Sequence, residues 1–102
     1  MIVVRFKVTC QPNRAEEVAE AMTAVVAPSR ELPGVIHFDV ARDVTDANAL
    51  IATQVFADRG AMDRQETQPE VARVVALLED GALTGPPEWT VYEVTAEDAA
   101  EG

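Results

Sequence analysis

Residues 2–10 largely alternate between apolar and polar side chains. Even positions from Ile2 to Val8 are apolar, whereas three of the odd positions between them and just after them are charged or polar. A period of two places successive side chains on opposite faces of an extended chain. We therefore predict a first strand over residues 2–10 with one apolar face.

The next segment changes to the helical period. Val18, Met22 and Val25 recur three or four residues apart within residues 14–31, which predicts an amphipathic helix. Asn13 stands just before this segment with Glu16 three residues further on, a spacing typical of an N-cap.

Two apolar runs in the middle of the chain flank a polar segment. Residues 33–40 and 50–56 enclose the polar residues 43–48, a pattern that predicts a β-hairpin. We expect antiparallel pairing with His37 opposite Gln54. That register would put Ile36, Phe38, Val40, Ile51, Thr53 and Val55 on a more apolar face, and Val35, His37, Asp39, Ala52, Gln54 and Phe56 on a mixed face. A shift by one residue would change this division.

The second half of the chain carries two helix starts. Asp58 is a candidate cap for a short helix running toward Gln65. Thr67 precedes Pro69 and Glu70 in the order that favours a second helix, which extends to about Leu78.

Residues 89–94 complete the pattern as a last strand. The order of strand, helix, two strands, helices and strand predicts a ferredoxin-like α+β fold with a four-stranded antiparallel sheet. We expect one domain over residues 1–95 and an acidic C-terminal tail over 96–102. Helices on one face leave the other face uncovered, so we expect a homodimer formed through the sheet.

The charge balance limits the possible partners. Eighteen acidic residues against eight basic ones give a net charge of −10, which repels phosphate groups and anionic lipid, so we expect neither nucleic-acid nor membrane binding. The single cysteine excludes an internal disulfide, and one histidine with scattered carboxylates lacks the spacing of a metal site. No apolar run approaches 18 residues, and a cytoplasmic protein is expected.

Several segments together resemble the antibiotic biosynthesis monooxygenase family, a branch of the dimeric α+β barrel superfamily. They are Pro33-Gly34-Val35 with Phe38, residues 55–62, Pro69-Glu70-Val71 and Val91-Tyr92-Glu93-Val94. The resemblance extends from Ile2 to about Val94. It implies homodimers packed sheet against sheet and, in several members, oxygenation of phenolic polyketides or quinols with neither metal nor flavin. Other members degrade haem, and many have no known activity.

The chain departs from the family pattern at positions that matter for chemistry. Phe56 stands where the family often has tryptophan, Gln54 where an acidic residue is common, and Gln65 where a histidine is common. The haem-degrading branch uses an asparagine, a tryptophan and a histidine, which align near Phe6, Gln65 and Val75. None of these three is kept, so haem degradation is rejected.

Five residues are candidates for a site. His37 is the candidate base because histidine accepts protons near neutral pH, and Gln54 or Gln65 would hydrogen-bond a substrate oxygen. Phe6 and Phe56 are candidate walls for a flat ring. The alternatives remain that His37 lies at a dimer interface or on the strand surface, and that the aromatic residues pack the core.

Two functions follow from these observations. The first is a cofactor-independent monooxygenase acting on a small aromatic, polyketide or quinol-type compound. The alternative is a non-catalytic small-molecule-binding or structural homodimer that has lost the polar site residues of the family. The sequence does not name a substrate.

Overall fold

Seven elements follow one another in the computed structural model, which describes residues 1–95. They are β1 (Ile2–Thr9), α1 (Ala15–Arg30), β2 (Val35–Asp43), β3 (Asp46–Phe56), α2 (Arg59–Glu66), α3 (Pro69–Glu79) and β4 (Glu88–Glu93). The strands form one antiparallel sheet in the order β2-β3-β1-β4. This ferredoxin-like α+β arrangement confirms the predicted fold class. The predicted tail, residues 96–102, lies outside the described residues.

The central strand β1 has the predicted two-residue period. Ile2, Val4 and Val8 are almost fully buried against the helices, because alternate side chains of a strand point to the same face. The strand ends one residue earlier than expected, and Cys10 instead forms an isolated bridge with Leu83.

The β2–β3 hairpin is longer than the sequence predicts. Its turn consists of Val44 and Thr45 alone, and β3 begins at Asp46. One oxygen of Asp43 (Oδ1) accepts hydrogen bonds from the backbone N–H of Thr45 at 2.8 Å and from its hydroxyl at 2.7 Å. Aspartate, asparagine and alanine are poor strand formers, so the first residues of β3 have the composition of a loop.

A β-bulge changes the register of this hairpin. Val35 lies opposite Phe56, as the predicted register requires, but the register shifts between Val35 and His37. The extra residue brings Phe38 opposite Gln54 and His37 opposite Val55. The predicted pairing of His37 with Gln54 is therefore wrong.

The bulge also corrects the predicted division of the hairpin into two faces. Phe38 and Val40 share the helix-covered face with Ala52 and Gln54, their partners across the ladder. His37 projects from the other face, because successive residues of a strand point in opposite directions.

Helix α1 begins without the predicted cap. Arg14, not Asn13, occupies the N-cap position, and no side chain caps the helix there. The Arg14 guanidinium instead pairs with Glu17 in the first turn at 2.7 Å. Val18, Met22 and Val25 are buried as predicted, and Ala21 is buried with them.

The predicted N-cap is confirmed for α2 but not for α3. Asp58 accepts a hydrogen bond from the backbone N–H of Ala61 at 2.9 Å, which confirms the predicted cap of α2. Pro69 is the first residue of α3, but Gln68 holds its N-cap position. Thr67 ends α2 instead, so its predicted role as a cap of α3 is wrong.

Two groups of buried residues hold the helices on the sheet. The smaller group lies under α2 and contains Ile2, Val4, Phe56, Ala61 and Met62. The larger group joins α1 and α3 to the sheet, but Val74 is the one buried residue of α3. This loose seating of α3 leaves space between the helices and the sheet. None of the helices formed by residues 1–95 is long and apolar enough to cross a membrane.

Candidate active site

A cavity of about 400 Å³ lies between the helices and the sheet. Its apolar walls consist of Val4, Phe6, Met22, Val25, Phe38, Val40, Ala52, Val71, Val74, Val75, Leu78, Pro87 and Trp89. Three polar residues complete the lining: Gln54, Gln65 and Glu66. Ala52 lies on β3, one of the two central strands of the sheet. Its side chain is only a methyl group, so it leaves space in the cavity above the sheet.

Gln65 is fixed in its position by a buried polar cluster. It is 4% exposed, and its Nε2 donates to the hydroxyl of Ser29 at 3.4 Å. Gln68 donates to the same hydroxyl at 2.9 Å and to the backbone carbonyl of Gln65 at 3.2 Å. Since buried polar groups are stable only when hydrogen-bonded, this cluster joins α1 to the junction of α2 and α3 and holds Gln65 at the cavity wall.

Gln54 differs from Gln65 because its side chain is uncommitted. It projects from β3 between Val4 of β1 and Phe38 of β2, its partners across the two ladders. Its amide makes no hydrogen bond with any residue among 1–95. A half-buried amide in an apolar cavity retains its full capacity to donate to and accept from a ligand.

Glu66, the last residue of α2, lines the cavity but was not among the candidate site residues predicted from the sequence. Burial raises the pKa of its carboxyl group, and the nearby charge of Asp63 adds to this effect. The helical spacing of α2 indicates that Glu66 faces the cavity. Ala61 and Met62 are buried, and the residues four positions later on the same side of the helix are Gln65 and Glu66.

The cavity brings together three of the five predicted site residues. Phe6, Gln54 and Gln65 all line it. Phe56 is fully buried in the group under α2 and does not line the cavity. His37 is exposed on the opposite face of the sheet, so within one protomer it cannot reach a ligand held between the sheet and the helices.

The mouth of the cavity lies beside the edge strand β4. Trp89 is paired with Phe6 in the β1–β4 ladder, lines the cavity, and remains 58% exposed. Pro87 precedes this strand and lines the same part of the cavity. An aromatic and a rigid ring at the rim favour a flat ligand, because aromatic pairs gain from stacked and edge-to-face contacts.

The chemistry of the lining is therefore simple. Residues 1–95 contain no group of three or more histidine, cysteine, aspartate or glutamate side chains arranged to hold a metal ion. What the cavity offers is a large apolar surface, two amide groups and one carboxyl group. This set can bind a flat apolar molecule, hydrogen-bond its oxygen atoms, and accept one proton.

Comparison with known proteins identifies the family. Residues 1–77 match the family model described as antibiotic biosynthesis monooxygenase. The chain belongs to this family. The resemblance stated from the sequence is thereby confirmed.

Solved structures of the same fold align with most of the chain. A structure from Mycobacterium tuberculosis has a TM-score of 0.83 at 19% identity, over 92% of this chain and 94% of the other. A Deinococcus radiodurans structure, whose name assigns it provisionally to the antibiotic biosynthesis monooxygenases, has a TM-score of 0.82 at 18% identity, over 93% of each chain. At these identities the likeness shows the fold.

A curated relative is longer than this chain. A Synechocystis protein described as uncharacterized is 28% identical over 93 residues. The match covers 91% of this chain and 63% of the Synechocystis protein. The chain thus spans less than two thirds of that relative.

Proposed function

We propose that the protein is a homodimeric, cofactor-independent monooxygenase that oxidises a small aromatic, polyketide or quinol-type compound. The cavity carries this proposal. Its volume of about 400 Å³ is in the range of ligand sites, roughly 300–1,000 Å³. Its lining is apolar apart from Gln54, Gln65 and Glu66, which suits a flat ring system with a few oxygen substituents.

The reaction needs no external reductant. A base removes a proton from an activated methylene or hydroxyl group, and the resulting anion passes one electron to molecular oxygen. Recombination of the two radicals gives a peroxide, which loses water and leaves a carbonyl. For an anthrone the methylene becomes a carbonyl, one oxygen atom enters the product, the other leaves as water, and the substrate supplies all four electrons. An apolar enclosure protects the radical pair from solvent.

The uncovered face of the sheet supports the homodimer. Ile51 and Val55 of β3 and Val3 of β1 lie on the face away from the helices and are half-buried. Apolar side chains in the middle of an uncovered sheet favour a partner, and a second copy of the same face is the simplest one. His37 belongs to this face, where the sequence offered a dimer interface as its alternative role.

A non-catalytic binding dimer is the second candidate. It is favoured by Gln65, which stands where a histidine is common in the family and which is tied to Ser29. A glutamine amide cannot accept a proton at neutral pH. In that case the cavity would bind the same class of ligand without turning it over.

Oxygen consumption by metal-free protein, measured against a panel of hydroquinones and anthrones, separates the two candidates. The monooxygenase proposal predicts consumption of one oxygen molecule per substrate molecule oxidised, with loss of activity when the cavity is filled. Ligand binding without oxygen consumption across the panel would favour the binding dimer. Absence of both would contradict the proposal.

A further inference from the structure

Glu66 is the one charged residue that lines the cavity among residues 1–95. The fifteen other lining residues come from all four strands, the three helices and the segment before β4, and none of them is ionisable. Asp63, in the same helix, is the charged neighbour that acts on the Glu66 carboxyl group. The cavity therefore presents a single charge to any ligand that enters it.

The Glu66 carboxyl group has no partner of its own. It makes no hydrogen bond and no ion pair with any other residue in the described range 1–95. The basic residues nearest to Glu66 in the sequence are three arginines in α2 and α3, which are the first candidates for an ion pair with it. Of these, Arg59 pairs with Glu93 at 2.6 Å, and Arg64 donates to the backbone carbonyl of Pro33 at 3.0 Å. Arg73 does not line the cavity.

A carboxylate beside apolar walls is stabilised when a donor reaches it, since burial without a hydrogen bond is costly. No side chain of residues 1–95 supplies that donor. A ligand that supplies it would gain a charge-assisted hydrogen bond, which is about twice as strong as a neutral one.

We propose that Glu66 selects the ligand: its carboxylate accepts the hydrogen bond, and during turnover the proton, of one phenolic or enolic hydroxyl on an otherwise flat and apolar molecule. This inference rests on the proposed function and names the class of ligand that the same cavity takes. In the proton-transfer step the substrate O–H bond breaks, its electron pair stays on the substrate oxygen, and a new O–H bond forms on the carboxyl group.

The raised pKa of Glu66 is consistent with this role. A phenol has a pKa near 10 and an ordinary glutamate one near 4.3, so a rise on the carboxyl side narrows the difference and favours proton transfer. The pKa of Glu66 is raised mainly by burial and, to a smaller extent, by the negative charge of Asp63.

The same charge excludes other ligands. An aromatic carboxylate or phosphate would be repelled by the like charge of Glu66. An aromatic ammonium ion would bring three donors and a full charge to be desolvated, whereas the cavity offers one unpaired carboxylate. A single hydroxyl donates to the carboxylate and brings no second charge that would have to be desolvated.

Equilibrium dialysis at pH 8 with four naphthalene derivatives tests the inference. The compounds are 2-naphthol, its methyl ether, 2-naphthoate and 2-naphthylmethylammonium. We expect the wild-type protein to bind 2-naphthol about tenfold more tightly than the methyl ether, as a charge-assisted hydrogen bond implies, and to bind the two ions more weakly than 2-naphthol.

The deciding variant is Glu66→Gln, which keeps the shape of the side chain and removes its charge. Its preference for 2-naphthol over the methyl ether should fall to about threefold or less, the value for a neutral hydrogen bond. Glu70→Gln is the matched control, because Glu70 lies in the first turn of α3 and does not line the cavity. It should keep the wild-type preference.

Each of the remaining outcomes would overturn a specific part of the proposal. Equal binding of naphthol and ether by the wild type, or an undiminished preference in Glu66→Gln, would overturn the role of Glu66 and leave the aromatic cavity standing. Tighter binding of the ammonium ion would replace the hydroxyl by a cation as the selected group. Failure of the wild type to bind any of the compounds would overturn the proposed function together with this inference.

Discussion

Gln54 and Phe38 lie opposite each other in the β2–β3 ladder, and both side chains line the cavity. His37, the neighbour of Phe38, is paired with Val55 and projects from the other face of the sheet. One bulge at the start of β2 thus decides which polar residue of the hairpin reaches a ligand.

Replacing His37 by alanine should leave ligand affinity and turnover within about twofold of the wild type. The reason is that the side chain lies across the sheet from the cavity and does not line it. Equilibrium dialysis with 2-naphthol and oxygen consumption with an active substrate measure both quantities. Gln54→Leu is the comparison on the cavity side, and it should weaken binding of a hydrogen-bonding ligand by about three- to tenfold. A loss in His37→Ala as large as in Gln54→Leu would restore His37 as a candidate base.

Replacing Ala52 by leucine should fill the cavity from its floor. Ala52 is 2% exposed and lies between Phe6 and Val40 on the helix-covered face. Three additional carbon atoms fit into a space of about 400 Å³, so we expect the free energy of unfolding to change by less than about 1.5 kcal/mol. Ligand affinity should fall at least about tenfold, because the new side chain occupies the volume of the ligand.

The matched control for Ala52→Leu is Ala72→Leu. Ala72 is exposed on α3 and does not line the cavity, so the same change in size should leave affinity unaltered. Unchanged affinity in Ala52→Leu would show that ligands bind elsewhere on the protein.

Replacing Phe56 by alanine should lower stability. Phe56 is fully buried against Ile2, Val4, Ala61 and Met62, and truncating a buried phenylalanine costs about 3–5 kcal/mol through lost burial and the cavity left behind. Urea denaturation at fixed protein concentration measures the change, since the proposed dimer would make stability depend on concentration.

The Phe56 variant also tests the role that the sequence suggested for this residue. Under conditions in which Phe56→Ala remains folded, its affinity for 2-naphthol should stay close to that of the wild type. A specific loss of affinity in the folded variant would assign Phe56 to the ligand site.

Asp43 should make stability depend on pH in the acid range. Hydrogen bonds from the hydroxyl and then the N–H of Thr45, together with Lys7 at 3.3 Å, lower the pKa of Asp43 from 3.8 to about 2. Since the folded-state pKa lies below that of the unfolded chain, this contribution is fully present above about pH 4. It is lost as the pH falls through about 2.

The Asp43→Asn variant checks this sign. It should be less stable than the wild type at pH 7, and the difference should shrink between about pH 4 and pH 2, as measured by thermal unfolding. In Thr45→Ala, which removes the strongest of the hydrogen bonds, an NMR titration should find the pKa of Asp43 closer to its ordinary value. A difference between Asp43→Asn and wild type that is constant with pH would contradict the assignment.

The fold was predictable because it depends on period and order. Ile2, Val4 and Val8 of β1 and Val18, Met22 and Val25 of α1 are buried as the two patterns require. Burial against a common core sets these patterns, and they survive small errors in the ends of elements. Asp58 was predictable for a local reason, because a cap depends on the neighbouring backbone.

The candidate site was less predictable because it depends on register. No side chain near Val35 signals the bulge before His37, and a shift of one residue moves a side chain to the other face. Glu66 was obscured for a different reason. A glutamate at a helix end usually faces solvent, and only the burial of Ala61 and Met62 shows which side of α2 meets the cavity.

The homodimer proposed through the uncovered sheet face can be tested at its centre. Thr53 lies in the middle of β3 on this face, opposite Arg5 of β1 and Asp39 of β2 in the two ladders, and is exposed. In a face-to-face dimer an arginine at this position would add a second buried cation beside Arg5, and burying an unpaired charge costs several kcal/mol. We therefore expect sedimentation equilibrium to find the wild type dimeric and Thr53→Arg monomeric. The control variant Thr23→Arg makes the same change on the exposed side of α1 and should remain dimeric. A dimeric Thr53→Arg variant would place the interface elsewhere. A monomeric wild type would exclude the dimer.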